Sequence, residues 1–224
     1  MTLLFSFQKL LSGLADLSGS ATSSHTQAGQ VRHSIGTPEM LASCVAVALG
    51  AVAPSDLVTS LPTYGPLKTK QYAGYAAATN DGENKLFYWF AECDCGSKSQ
   101  DVPLLLWLNG GPGASSSTGL LIEKLGPQLI SDNATLVDNP DRITTDHHLL
   151  IFDNPVGSGY SSTSSKSYAR SEFDVRTQFV HALRQFFTFH PEYAANPFYV
   201  TGESCECHRL SASAAAAVET PPAC

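Results

Sequence analysis

A serine follows a strand-like run near the end of the sequence, in the segment FYVTGES that closes on Ser204. A serine held on a tight turn after a strand exposes its hydroxyl, and backbone N–H groups there point toward a neighbouring oxyanion. Such a turn requires small residues two positions before and two positions after the serine. Gly202 meets the first requirement and Glu206 fails the second. The pattern predicts a nucleophile position at Ser204 with an irregular continuation.

Two glycine-rich loops also follow strand-like apolar runs. PLLLWLN, residues 103–109, runs into GGPG, and HLLIF, residues 148–152, runs into DNPVGSG. Short continuous apolar runs of this kind predict strands that are buried on both faces. Ligands of α/β sheets gather beyond the carboxyl ends of the strands. We therefore expect these loops and Ser204 to lie at one edge of a sheet.

The elements that must position these loops can be traced from Leu57 onward. KQYAGYAAAT and NKLFYWFAEC are strand-like runs whose turn, NDGE, predicts a hairpin. A helix is predicted in SSSTGLLIEKLG, and a longer one in SEFDVRTQFVHALRQFFTFHPEYA, with Ser171 and Asp174 as its capping box. Its apolar positions at helical spacing are Phe173, Phe179, Val180, Leu183, Phe186 and Phe187. Strands that alternate with helices predict the α/β class.

Composition narrows the function classes. The sequence is 43% hydrophobic and 15% charged, as in a globular protein, and its net charge of −7 argues against nucleic acid as a partner. The spacing of Cys93 and Cys95, and of Cys205 and Cys207, lacks the usual gap of zinc ligand pairs. The alternative is a metal site that includes Cys207 and the adjacent His208, but structural or accidental cysteines fit the spacing better. We expect no metal ion and no cofactor.

The first part of the chain has a different character. Residues 1–39 contain one short apolar run and a Ser/Thr/Gly-rich stretch, which predicts a poorly structured extension. Residues 40–54 resemble a signal peptide, because the apolar run Leu41–Ala53 is too short to span a bilayer and ends in small residues. Met40 would then be the true start. The alternative for this segment is a buried helix.

Five separated blocks resemble the serine carboxypeptidases of the α/β-hydrolase fold. They are SLPTYGPLKTKQYAGY, LLLWLNGGPGASS, TGLLIEKLGP, DNPVGSGYS and FFTFHPEYAANPFYVTGES. The blocks keep the family's order and spacing and cover residues 55–204. The resemblance implies an α/β-hydrolase-type mixed sheet with flanking helices, truncated after the nucleophile strand. It also implies an exopeptidase of the secretory pathway, either extracellular or in the lysosome or vacuole.

The resemblance assigns roles residue by residue. Ser204 is the nucleophile, and the N–H groups of Gly111 and Cys205 form the oxyanion hole. Asn109, the N–H of Gly110 and Glu203 hold the substrate's terminal carboxylate. Glu203 can donate a hydrogen bond only while it is protonated, so the family member should favour acidic conditions. Its partners would be the carboxyl termini of peptides or proteins. The sequon Asn133-Ala134-Thr135 predicts glycosylation at Asn133.

The sequence also departs from the family pattern. The family's SYAGH is SCECH here, so that Glu206 brings a charge into an apolar contact. Lys124 stands where a second glutamate of the carboxylate-binding network is common. Ala114 replaces a cysteine, so a family disulfide is not expected.

No catalytic partners for Ser204 can be found in the sequence. The triad order in this fold is Ser, Asp, His, yet the twenty residues after Ser204 include no aspartate. His208 is too close in sequence to reach Ser204 as a base. Upstream candidates are assigned structural places instead: Asp153, Asp174, His181 and His190.

The alanine-rich segment 205–224 is interpreted as an aberrant tail, from a misjoined exon or a shifted reading frame, with a divergent terminus as the alternative. We predict a serine-type carboxypeptidase fragment that is inactive by itself. The alternatives are an acyltransferase relative, which an aspartate before the nucleophile would indicate, and a non-catalytic relative.

Overall fold

The computed structural model describes residues 3–5, 56–96 and 101–204. Their elements in chain order are β1 (Leu3–Phe5), β2 (Leu57–Leu61), β3 (Gly65–Ala77), β4 (Asn84–Ala91), β5 (Leu104–Leu108), α1 (Ser117–Leu121), β6 (Gln128–Ile130), β7 (Leu136–Asp138), β8 (His148–Phe152), β9 (Ser162–Thr163), α2 (Glu172–Phe189) and β10 (Phe198–Gly202). Short 3-10 turns cover Ile143–Thr145 and Pro191–Tyr193. No helix within these ranges is long and apolar enough to cross a membrane.

The described strands form one large mixed sheet in the order β1-β10-β5-β8-β4-β3-β2, with β9 added beside β4 and a separate hairpin of β6 and β7. The three strands β10, β5 and β8 run parallel, and β4, β3 and β2 extend the sheet in antiparallel fashion. This arrangement confirms the predicted mixed α/β sheet. The predicted β3–β4 hairpin and both buried strands, β5 and β8, are confirmed as well.

Each face of the sheet carries its own core. Alternate side chains of β4, β5 and β8 pack with α2, among them Tyr88, Leu106 and Phe152. On the opposite face Leu105, Leu149 and Ile151 pack with Leu120 of α1. Because all five residues of β8 are buried, this strand lies at the centre of both layers.

Helix α2 begins as its capping residues predict, but its buried face differs from the predicted one. The Ser171 hydroxyl accepts a hydrogen bond from the backbone N–H of Asp174. The buried positions are Val175, Phe179, Ala182, Leu183, Phe186 and Phe187. Phe173, which we placed on this face, is 64% exposed, with the Arg176 guanidinium 5.0 Å from its ring centroid. At 100° per residue, Phe173 and Val180 lie at the edge of the stripe formed by the buried positions, and Val180 is accordingly only half-buried.

Two features were not predicted. Cys93 and Cys95 form a disulfide across a single residue, although their spacing indicated no particular pairing. β1 pairs antiparallel with β10, with Leu3 opposite Val200; it falls inside the segment 1–39 that we predicted to be an extension. The remainder of that segment, the signal-like segment 40–54 and the tail 205–224 lie outside the described residues.

Candidate active site

The register of two parallel strands brings the predicted site residues together. Leu108 of β5 lies opposite Gly202 of β10, and the backbone N–H of Glu203 donates to the carbonyl of Leu108 at 3.3 Å. The chain therefore leaves both strands at the same level of the sheet. Asn109 and Gly110 follow one strand, and Glu203 and Ser204 follow the other.

Ser204 has the backbone conformation that a nucleophile turn requires. Its φ is +56°, in the left-handed region that costs a residue with a side chain about 1 kcal/mol. Ser204 is exposed at the end of β10. A strained, exposed serine directly after a strand is typical of the α/β-hydrolase nucleophile.

Gly110 allows a close backbone approach to this serine. A Cβ atom at position 110 would lie 2.7 Å from the Cβ of Ser204 and 2.8 Å from the carbonyl oxygen of Glu203. Only glycine fits between them. The GGPG loop and the Ser204 turn are thus in direct contact.

The Asn109 side chain is held in one orientation. Its Oδ1 accepts from the indole N–H of Trp107 at 2.9 Å, which directs the Nδ2 group away from Trp107. Nδ2 donates to Glu203 Oε1 at 3.2 Å and to Glu123 Oε1 at 2.9 Å. Asn109 itself is only 2% exposed, so a buried amide joins two exposed carboxyl groups.

Glu123 is a site residue that the sequence reasoning missed. The sequence places Lys124 where a second glutamate of the carboxylate-binding network is common, but in the structure the preceding residue, Glu123, bonds to Asn109 at 2.9 Å. Lys124 has a φ of +65°, so the chain turns sharply directly after Glu123.

Asp153 has a structural role in the loops beside the site, as the sequence indicated. It is fully buried, and Oδ1 accepts from the Ser115 hydroxyl at 2.7 Å and from the Ser116 N–H at 2.8 Å. Oδ2 accepts from the N–H of Tyr160 at 2.9 Å. Three donors occupy this carboxylate, which fixes the loop after β5 to the loop after β8. Asp153 is a structural residue.

The two upstream histidines belong to the layer of α2. His181 bonds through its ring nitrogens to the carbonyl of Ala77 and to Asn80 Oδ1. His190 lies fully buried among aromatic rings at the end of the helix. Asp174 caps the start of α2. These places agree with the structural roles predicted for all three.

Of the other predicted site residues, the structure describes Gly111 and Asn133 but not Cys205. Gly111 has a φ of +121° and follows Gly110 in the loop that touches Ser204. Cys205, its predicted oxyanion-hole partner, lies outside the described residues, as do Glu206, Cys207 and His208. Asn133 is exposed in the turn between β6 and β7. The oxyanion hole and the glycan stay predictions.

Comparison with known proteins gives one consistent result. A profile described as serine carboxypeptidase matches residues 62–211. The chain is 45% identical over 139 residues to the probable serine carboxypeptidase CPVL of Mus musculus, a match of 62% of this chain and 28% of that protein. It is 37% identical over 162 residues to the pheromone-processing carboxypeptidase KEX1 of Pyricularia oryzae, covering 71% of this chain and 25% of the relative.

A solved structure shows the same similarity in three dimensions. The prohormone-processing carboxypeptidase Kex1(Δ)p from Saccharomyces cerevisiae superposes with a TM-score of 0.60 at 26% identity, over 66% of this chain and 34% of that one. The matched region thus spans about a third or less of the length of these relatives.

Proposed function

Because the chain belongs to the serine carboxypeptidase family, we propose that its site holds the terminal carboxylate of a peptide beside a serine nucleophile. The observation that carries this proposal is the Asn109–Glu203 hydrogen bond of 3.2 Å between β5 and β10, made next to Ser204. It joins the amide donor, the acid and the nucleophile in one small area of surface.

The chemistry of these groups suits a carboxylate. A carboxylate is acceptor-only and requires donors, which here are Asn109 Nδ2, the N–H of Gly110 and a protonated Glu203. The bond from Nδ2 to Glu203 is the longer of its two and ends on an exposed side chain. A bound substrate can therefore replace it while the Glu123 bond keeps the amide in place.

The proposed reaction of the whole protein is acyl transfer through Ser204. Its Oγ forms a bond to the carbonyl carbon of the last peptide bond, the C–N bond breaks, and the terminal amino acid leaves with the serine's proton. Water then releases the acyl group. A general base must carry that proton.

The first experiment tests binding and turnover separately. The 224-residue polypeptide is titrated with an amino-blocked dipeptide and with the same dipeptide amidated at its carboxyl terminus, at acidic pH. We expect about tenfold or greater preference for the free acid, since the amide leaves site donors mispaired. Equal affinity would contradict the proposed site. Release of the terminal amino acid that disappears in Ser204→Ala would contradict the predicted inactivity.

The acyltransferase alternative is not favoured. Its expected sign, an aspartate before the nucleophile, is absent, because Glu203 occupies that position. The secretory location is proposed on the signal-like segment 40–54 and the sequon at Asn133.

A further inference from the structure

The disulfide between Cys93 and Cys95 lies at the edge of the sheet opposite to Ser204. It follows β4 directly, and Ala91 at the end of β4 pairs with Leu149 at the beginning of β8. Ser204 follows the carboxyl end of β10, which runs parallel to β5 and thereby to β8. The disulfide therefore lies away from the groups proposed to bind the peptide.

The spacing of the two cysteines means that their disulfide contributes little to the stability of the fold. One residue lies between them, so the bond closes a very short loop and removes little conformational freedom from the unfolded chain. Both cysteines are half-buried rather than enclosed in the core, and Asp94 between them is exposed. Accessible disulfides are the labile ones in proteins, whereas structural disulfides resist reduction.

The backbone around the bond is held by contacts that do not involve sulfur. The N–H of Cys93 donates to Nδ1 of the fully buried His148 at 3.0 Å. The N–H of Asp94 donates to the carbonyl of Thr144 at 2.7 Å, and the Arg142 guanidinium donates to the Asp94 carboxylate at 2.7 Å. Because reduction removes none of these contacts, the two thiols that it produces stay close enough to form the disulfide again.

The two sulfur atoms differ in their surroundings. Sγ of Cys93 lies 3.6 Å from the carbonyl oxygen of Thr145, which can accept a weak hydrogen bond from a thiol. Cys95 instead precedes Gly96, which has a φ of +70°. A Cβ added at Gly96 would have no described residue beyond its chain neighbours within 4 Å. The sulfur of Cys95 is thus beside open space, from which a thiolate can approach.

We propose that Cys93 and Cys95 form a thiol–disulfide exchange site whose substrates are small-molecule thiols and their disulfides. The thiolate of one substrate molecule attacks Sγ of Cys95 and forms a mixed disulfide, while the S–S bond to Cys93 breaks. The electron pair of that bond stays on Cys93, which takes up a proton and donates its S–H to the Thr145 carbonyl.

A second substrate molecule completes the exchange. Its thiolate attacks the substrate sulfur of the mixed disulfide, so a substrate disulfide leaves and Cys95 takes up a proton. Two thiols are oxidised to one disulfide, and the protein gains two electrons and two protons. The reverse sequence, with a small-molecule disulfide as the oxidant, restores the bond between Cys93 and Cys95.

Glutathione is the probe for this exchange on the 224-residue polypeptide. The protein is equilibrated with different ratios of reduced to oxidised glutathione, quenched with acid and alkylated. Cleavage after Lys85 and Lys98 then releases residues 86–98, in which Cys93 and Cys95 are the only cysteines. We expect these residues to change from oxidised to reduced and back at millimolar glutathione, with the cooperative melting curve retained. A disulfide that stays intact until the protein melts, or whose reduction abolishes cooperative melting, would overturn the proposal.

The free peptide of residues 86–98 is the matched control for the fold. It carries the same two cysteines without His148, Thr144 and Arg142. Because the fold holds the two thiols together, we expect the disulfide of the protein to form at least about tenfold more favourably against glutathione than that of the peptide. Equal constants would overturn the site, since the fold would then add nothing to the sequence Cys-Asp-Cys.

Two single-cysteine variants test the order of attack. In Cys93→Ser the mixed disulfide on Cys95 has no neighbouring thiol to resolve it, so glutathione should accumulate there when oxidised glutathione is added. In Cys95→Ser we expect glutathione to add to Cys93 about tenfold more slowly, because that sulfur lies against the Thr145 carbonyl. Equal rates, or faster addition to Cys93, would overturn the assignment of Cys95 as the attacked sulfur.

Discussion

At the scale of single residues, the site depends on a close backbone contact at Gly110, where no Cβ atom fits, and on the fixed orientation of the Asn109 side-chain amide. That Asn109, Glu203 and Ser204 lie close together could be predicted from the sequence, because their blocks carry a specific pattern. Glu123 could not, because its bond to Asn109 depends on how the chain turns after α1. The orientation of the Asn109 amide is decided by a hydrogen bond from Trp107, which the sequence pattern does not show.

Gly110→Ala should disrupt the site directly. The added Cβ must displace Ser204 or Glu203, and overpacking of this kind costs about 1–3 kcal/mol. We expect lower stability and loss of the free-acid preference in the dipeptide titration. Gly65→Ala is the control, since Gly65 has a φ of +90° with nothing within 4 Å of the added atom. It should cost about 1 kcal/mol of stability and keep the preference. An unchanged preference in Gly110→Ala would refute the contact.

Glu123→Ala should weaken binding of the free-acid dipeptide about tenfold, because the Asn109 amide loses the shorter of its two bonds and with it its fixed direction. The adjacent Lys124→Ala removes a charge from a neighbouring exposed position and should change affinity less than about twofold. Calorimetry measures the affinity of both variants for the free-acid dipeptide. An equal change of affinity in the two variants would show that Glu123 contributes no more than its charge.

At the scale of elements, hydrophobic patterns predicted the positions of strands and helices correctly but misassigned part of the buried face of α2. The continuous apolar runs predicted β5 and β8, and the Ser171 cap predicted the start of α2. The pattern alone could not tell which of the helix's phenylalanines reach the sheet, because that depends on where the helix crosses it. The Cys93–Cys95 pairing was missed for a related reason: sequence spacing does not give side-chain geometry.

Two phenylalanines on α2 should therefore behave very differently. Phe179 packs against Phe152 with ring centroids 5.5 Å apart and is 7% exposed. Phe179→Ala should lower the free energy of unfolding by about 3–5 kcal/mol. Phe173→Ala, at an exposed site, should change it by about 0.5 kcal/mol or less. Denaturant titration of both variants measures the contrast, and similar losses would contradict the helix orientation.

At the scale of the whole molecule, acid acts on the fold through one buried histidine. His190 is buried beside the rings of Tyr72, Tyr88 and Tyr193, with its Nε2 3.4 Å from the Tyr88 hydroxyl. That hydroxyl also bonds to Asp56 at 2.9 Å. Burial lowers the pKa of His190 from 6.5 to about 4, with the charge of Asp56 opposing the shift. Burial raises the pKa of Tyr72 to about 12 and also raises those of Tyr88 and Tyr193.

The sign of the pH effect follows from the lowered pKa. Below pH 6.5 the unfolded chain binds a proton that the folded chain resists, so stability falls as pH drops from 6.5 to about 4. The full loss is about 3 kcal/mol. His190→Phe should remove this loss, which unfolding titrations at pH 7 and pH 4 would measure. Identical pH dependence in both proteins would contradict it.

The parallel pairing of β5 with β10 also has a consequence for biosynthesis. Asn109 and Glu203 are 94 positions apart in the chain. At typical translation rates roughly 5–20 seconds separate their synthesis. During that interval β5, one of the most apolar segments of the protein, has an open edge on the side that β10 later fills. A nascent chain halted there would present this edge to chaperones and to other strands.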